Sequence, residues 1–118
     1  MATILVVDDE PGLRLLYTAE LEDEGYQVVS AGNCAAAAEI LASQQIDLVV
    51  LDIQIKQESG LDMLQTIVKE RSGLPVILCS AYNCYKDDFS SWLADAYIVK
   101  SSDLGELKSE VRRLLKRK

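Results

Sequence analysis

Five polar residues stand where short apolar runs stop. Asp8 and Asp9 follow the run at 4–7, Asp52 the run at 48–51, Ser80 the run at 76–79 and Lys100 the run at 97–99. Each alone has a plain structural role. Asp9 could cap a helix, Asp52 could be a turn residue, Ser80 could satisfy a loop backbone, and Lys100 could be a solvated cation. Together they describe a chemistry. Three carboxylates gathered in one place repel, a single pair at about 4 Å costing about 4 kcal/mol at an effective dielectric near 20. A fold tolerates this where a cation sits among them or a proton is taken up. A few hard oxygen ligands open to solvent suit Mg2+, which keeps several waters and binds through one or two carboxylates plus phosphate oxygens. A lysine and a hydroxyl nearby would balance and hydrogen-bond a phosphoryl group. These residue types point to magnesium-dependent phosphoryl chemistry on a carboxylate.

Such a site needs a fold that brings separate strand ends together. Strand candidates lie at 4–7, 27–31, 48–51, 76–79 and 97–99, and most of them are continuous apolar runs rather than alternating, as expected for strands buried on both faces of a parallel sheet. Helical patterns lie between them. Leu13, Leu16, Tyr17 and Leu21 recur at three and four after Pro11, a residue tolerated in a first turn, and Gly25 supplies a stop. A second helix is predicted after Asn33 as N-cap, a third through Leu61, Leu64, Ile67 and Val68 until Gly73 and Pro75. Segment 83–93 is the weakest helical pattern. A last helix carries Leu104, Leu107, Val111 and Leu114 on one stripe, with Asp103 as cap. Five such units with right-handed crossovers make an α/β, doubly wound, five-stranded parallel sheet flanked by five helices. In that architecture ligands bind outside the carboxyl ends of the strands, which is where all five polar residues fall.

Composition narrows the function classes. The chain has 118 residues, 49% of them hydrophobic and 26% charged, enough for one domain with its own core. No apolar run approaches the roughly 20 residues that cross a bilayer, and no basic segment precedes the run at 4–7, so no membrane association or secretory signal is expected. Three cysteines without a CxxC pair disfavour a disulfide framework and point to a reducing cytoplasm. The absence of histidine nearly excludes a zinc site of the usual ligands and removes Ser-His-Asp or Cys-His catalysis. Net charge is −7, but unevenly spread: residues 1–99 carry −11 and residues 100–118 carry +4. So acidic a body is not expected to bind nucleic acid directly. The basic C-terminus closes an amphipathic helix, where cations complement the dipole.

The motifs ILVVDDE at 4–10, DLVVLDI at 47–53, Gly60 eight after Asp52, PVILCSA at 75–81 and ADAYIVK at 94–100 resemble the receiver domain of two-component response regulators (CheY-like) across essentially all of residues 1–118. The resemblance implies a sheet of strand order 2-1-3-4-5. It also implies that Asp52 accepts a phosphoryl group from the phosphohistidine of a sensor histidine kinase or a phosphotransfer protein. Asp9 would be a direct Mg2+ ligand, Asp8 a second acidic residue acting through water, and the backbone carbonyl of Gln54 a further ligand. Lys100 would pair with the phosphoryl group, Ser80 would hydrogen-bond it, and Tyr97 would be the aromatic switch that follows. Phosphorylation adds about −1.5 to −2 charge, enough to bias a two-state face toward a downstream output protein or effector domain. The domain would assist its own phosphorylation without being an enzyme in the ordinary sense.

Three positions depart from the family pattern. Lys56 stands where proline is usual four after the acceptor, Ser101 follows the lysine where proline is usual, and Leu93 replaces a frequent glycine. None removes a reacting group. The Lys100–Ser101 bond is expected to be trans, since a non-proline cis bond costs about 2.5–4 kcal/mol and nothing in the sequence compensates it. Tyr82, Tyr85, Phe89, Trp92 and Tyr97 concentrate aromatic side chains between 82 and 97, either as packing or as anchors of a partner-binding face. Tyr82 and Gln54 are expected to shape water access to an acyl phosphate. Two other readings compete: a degenerate receiver serving as a constitutive interaction module, and a flavodoxin-like cofactor binder. Intact Asp52, Ser80 and Lys100 speak against the first, and acidic crowding where a flavin phosphate would sit speaks against the second.

Overall fold

Strand β1 (Thr3–Val7) shows why its run is apolar throughout. Ile4 and Val6 enter one core and Leu5 and Val7 the other, and none of the four is more than 1% exposed. Strand β3 (Leu48–Asp52) repeats the pattern, with Leu48 and Val50 on the first side and Val49 and Leu51 on the second. A sheet covered on both faces removes the polar alternation of a half-exposed strand. The computed structural model describes residues 2–55, 58–71, 73–80, 94–99 and 104–116. Together with β2 (Gln27–Ala31), β6 (Val76–Ser80) and β7 (Ala96–Val99), these strands form a five-stranded sheet of order β2-β1-β3-β6-β7 in which every neighbouring pair is parallel. This is the 2-1-3-4-5 order implied by the family resemblance.

Among the described residues, four helices cover the sheet. Helix α1 (Pro11–Asp23) buries Tyr17 and Leu21, and α4 (Gly105–Lys116) buries Leu107, Val111 and Leu114, all on the side of Ile4 and Val6. Helix α2 (Cys34–Ser43) buries Ala37 and Leu41 against the opposite side, where Met63, Leu64 and Ile67 of α3 (Gly60–Glu70) join them. Asn33 caps α2 as expected, its side chain accepting from the Ala36 N–H at 2.8 Å. Gly25 has φ 97°, which lets the chain leave α1 sharply toward β2. Helices α1 and α4 are tied by two ion pairs with matched four-residue spacing, Glu20 to Lys108 at 2.6 Å and Glu24 to Arg112 at 3.0 Å. Two of the seven basic residues of the C-terminal segment 100–118 are therefore answered by acids of α1. Cys34 and Cys79 pack on opposite faces of the sheet, which excludes a bond between them.

One element had no counterpart in the sequence pattern. Strands β4 (Gln54–Ile55) and β5 (Glu58–Ser59) form a short antiparallel ladder between β3 and α3. The helix expected over 83–93, the Asp103 cap and the Lys100–Ser101 bond lie outside the described residues.

Candidate functional site at the carboxyl edge of the sheet

The registers place the first two carboxylates. Strands β1 and β3 pair with Val7 level with Leu51, so Asp8 and Asp52 are the next residues along on adjacent strands. Adjacent strands run about 4.8 Å apart, and period-two alternation sends both side chains to the face of Val6 and Val50. Asp8 is 1% exposed and Asp52 is 6% exposed; among the described residues they are the buried charged side chains. Asp9 is half-buried at the turn into α1. Carboxylate oxygens of Asp8, Asp9 and Asp52 all lie within 4.8 Å of one another.

Backbone bonds fix the frame around them. The Asp8 N–H donates to the Ala31 carbonyl at 3.1 Å, and the Glu10 N–H donates to Asp8 Oδ1 at 3.0 Å. Glu10, not Asp9, is the N-cap of α1, and Pro11 opens the helix. Asp52 pairs with Cys79 on β6, and the next N–H, of Ile53, donates to the Cys79 carbonyl at 3.0 Å. Gly60 closes in from below: its N–H donates to the Ile53 carbonyl at 2.5 Å, and a Cβ there would overlap the Asp52 carbonyl oxygen and lie 2.8 Å from Ile53 Cα. Glycine eight residues beyond the acid is thus a packing requirement of the loop that carries it.

The remaining expected residues fall as follows. Ser80 closes β6 at the same edge, level with Val99, the last residue of β7. Lys100 and Tyr82 lie outside the described residues. Gln54 opens β4 two residues after Asp52 and pairs with Ser59. Tyr97 is half-buried on β7, packed toward the α2–α3 side of the sheet. The structure thus gathers Asp8, Asp9 and Asp52 and sets the Ser80 backbone at their edge. A groove of about 590 Å3 lies elsewhere, between α2 and α3 among Leu41, Met63 and Ile67, and none of the site residues line it.

Sequence reading passed over one contact. Arg14 donates from Nη1 to the Asp8 carbonyl oxygen at 2.7 Å. The available signal was charge: Arg14 is the first basic residue of the chain, and the next is Lys56.

Three carboxylates so close repel unless a cation joins them. The donor set is all hard oxygen, partly reached by solvent at Asp9, and fits Mg2+ better than a softer metal that prefers nitrogen or sulfur.

Residues 4–112 match the response regulator receiver domain family, and the chain belongs to that family. It is 37% identical over 117 residues, 98% of its length, to the transcriptional regulatory protein TcrX of Mycobacterium tuberculosis. The chain spans half the length of TcrX and smaller shares of several other curated relatives. Among solved structures, the response regulator TrrA of Thermotoga maritima in complex with Mg2+-BeF is 45% identical, covering 97% of this chain and 99% of that one, with a TM-score of 0.93. TrrA in complex with the histidine kinase ThkA aligns with a TM-score of 0.91 at the same identity, over 98% of this chain and 99% of that one. Among the described residues, no helix is long and apolar enough to cross a membrane.

Proposed function

We propose that residues 1–118 form one receiver domain whose Asp52 carboxylate accepts a phosphoryl group in a Mg2+-dependent reaction. The observation that carries this reading is the convergence of Asp8, Asp9 and Asp52 within 4.8 Å at the carboxyl edge of the sheet. Asp9 and Asp52 would hold the ion directly, Asp8 would hold it through water, and the Gln54 carbonyl would complete the protein ligands. When bound, Mg2+ supplies charge neutralisation for the acids and for phosphoryl oxygens. An Asp52 oxygen attacks phosphorus of a phosphohistidine; the new O–P bond forms as the P–N bond breaks, and the leaving imidazole takes up a proton. Lys100 and the Ser80 hydroxyl bind the transferred oxygens, and Tyr97 repacks in response. Gln54 and Tyr82 would tune the access of water to the acyl phosphate.

The donor is a sensor histidine kinase or a phosphotransfer protein, supported by the kinase complex of TrrA, and Mg2+ is supported by the Mg2+-BeF complex of the same relative. The output is a downstream protein or an effector domain in a longer chain, supported by the transcriptional regulators of which this sequence matches a part. The acidic body disfavours nucleic-acid contact by this domain, and a cytoplasmic setting fits its cysteines. Incubation with acetyl phosphate and Mg2+ tests the reading by intact mass. The chain should gain one phosphoryl group, lose that gain with a chelator, and show none as Asp52→Asn. No gain in the unmodified chain would leave an interaction module instead.

A further inference from the structure

Arg14 sits at the fourth position of α1, in the turn where the helix dipole favours acids over bases. Its guanidinium turns back across the β1–α1 turn to donate to the Asp8 carbonyl at 2.7 Å. The space it fills belongs to Gly32, in the turn between β2 and α2. A Cβ on Gly32 would stand 2.9 Å from Nη1 and 3.4 Å from Cζ of Arg14. The guanidinium is therefore seated between the Asp8 carbonyl and the bare backbone of residue 32. Asp8 is held by its N–H on Ala31, its Oδ1 under the Glu10 N–H, and its carbonyl under the Arg14 guanidinium. A hydrogen bond from an ionised donor is roughly twice as strong as a neutral one.

We propose that Arg14, seated on Gly32, is a positioning residue for the divalent-ion site. It braces the turn that carries Asp8 and Asp9 so that both carboxylates stay gathered with Asp52. The proposal rests on the Mg2+ reading above and adds to it the part that orients the ligands. Two effects of Arg14 oppose each other. Its positive charge disfavours a nearby dication, while its brace holds the ligands that bind it. Arg14 is half-buried, so water and salt still screen its charge, and partners that orient metal ligands govern affinity by about 10–100-fold. The brace therefore dominates.

Gly32→Ala separates the two effects, because it keeps the charge but pushes the guanidinium off the Asp8 carbonyl. Only the tip of a flexible side chain must give way, so the fold should be spared. Mg2+ affinity of the 118-residue chain, measured by titration calorimetry, should fall about tenfold in Gly32→Ala and in Arg14→Ala. The double variant should bind no more weakly than Arg14→Ala alone. Urea midpoints of the metal-free proteins should stay together, which a merely structural role would not allow. Wild-type affinity in Gly32→Ala, additive losses in the double variant, or tighter binding in Arg14→Ala would each overturn the brace. If the unmodified chain binds no Mg2+, the functional reading itself fails and takes the brace with it; unchanged variants of a binding wild type sink the brace alone.

Discussion

Asp8 and Asp52 have been withdrawn almost wholly from water, at 1% and 6% exposure, beside a third carboxylate. Like charges this close repel, and a bound cation would relieve that repulsion. Asp9, the least buried of the three, offers the cleanest way to show it. Asp9→Asn should stabilise the metal-free chain by about 1–2 kcal/mol, by removing one repelling charge. The same change should weaken Mg2+ binding. Urea denaturation in a chelator against denaturation in Mg2+ reads both effects. Stability unchanged or lower in the chelator would mean that the three acids do not repel as their proximity requires. Arg14 belongs to this scale too, since one side chain on one carbonyl is argued to hold two of the three ligands.

At the scale of elements, the loop from β3 to α3 matters most, because it leaves Asp52 and must return beneath it. Gly60 permits that return, and Gly60→Ala would drive a methyl group into the Asp52 carbonyl and the Ile53 backbone. Neither is a flexible side-chain tip. The variant should lose about 1–3 kcal/mol in denaturant unfolding, and its Asp52 should accept phosphate more slowly; wild-type stability would contradict the close approach. The α1–α4 tie makes a milder prediction. The Glu20 carboxylate accepting from Lys108 holds its ammonium above the ordinary value of 10.5. Stability from that pair is therefore fully present below pH 10.5 and lost as pH rises through the higher folded value. A Glu20→Gln variant should show a smaller alkaline loss in thermal melts than the wild type. The central strands β1 and β3 were legible from sequence because burial on both faces leaves an unbroken apolar run. The β4–β5 ladder was not, because two-residue strands pair through the backbone and leave no side-chain pattern. Arg14 was equally hidden, since a side chain bonding to a carbonyl constrains no residue type at its partner.

Across the whole molecule, one sheet accounts for both the core and the site. Its two faces take four described helices, and its carboxyl edge takes the acids, which is why polar residues at strand ends are legible in the sequence. What sequence reading left open, the cation-holding geometry, depends on register: Val7 level with Leu51 puts Asp8 beside Asp52, and a one-residue slip would send them to opposite faces. The acidic body and basic C-terminal helix meet within the chain through Glu20 and Glu24, so the charge asymmetry is partly a packing device. The central claim is that this edge delivers a phosphoryl group to Asp52 and to no other acid. Fragment-ion mass spectrometry of the chain after reaction with acetyl phosphate and Mg2+ tests it most directly. The added phosphoryl group should map to Asp52 alone; its appearance on Asp8 or Asp9 would contradict the account.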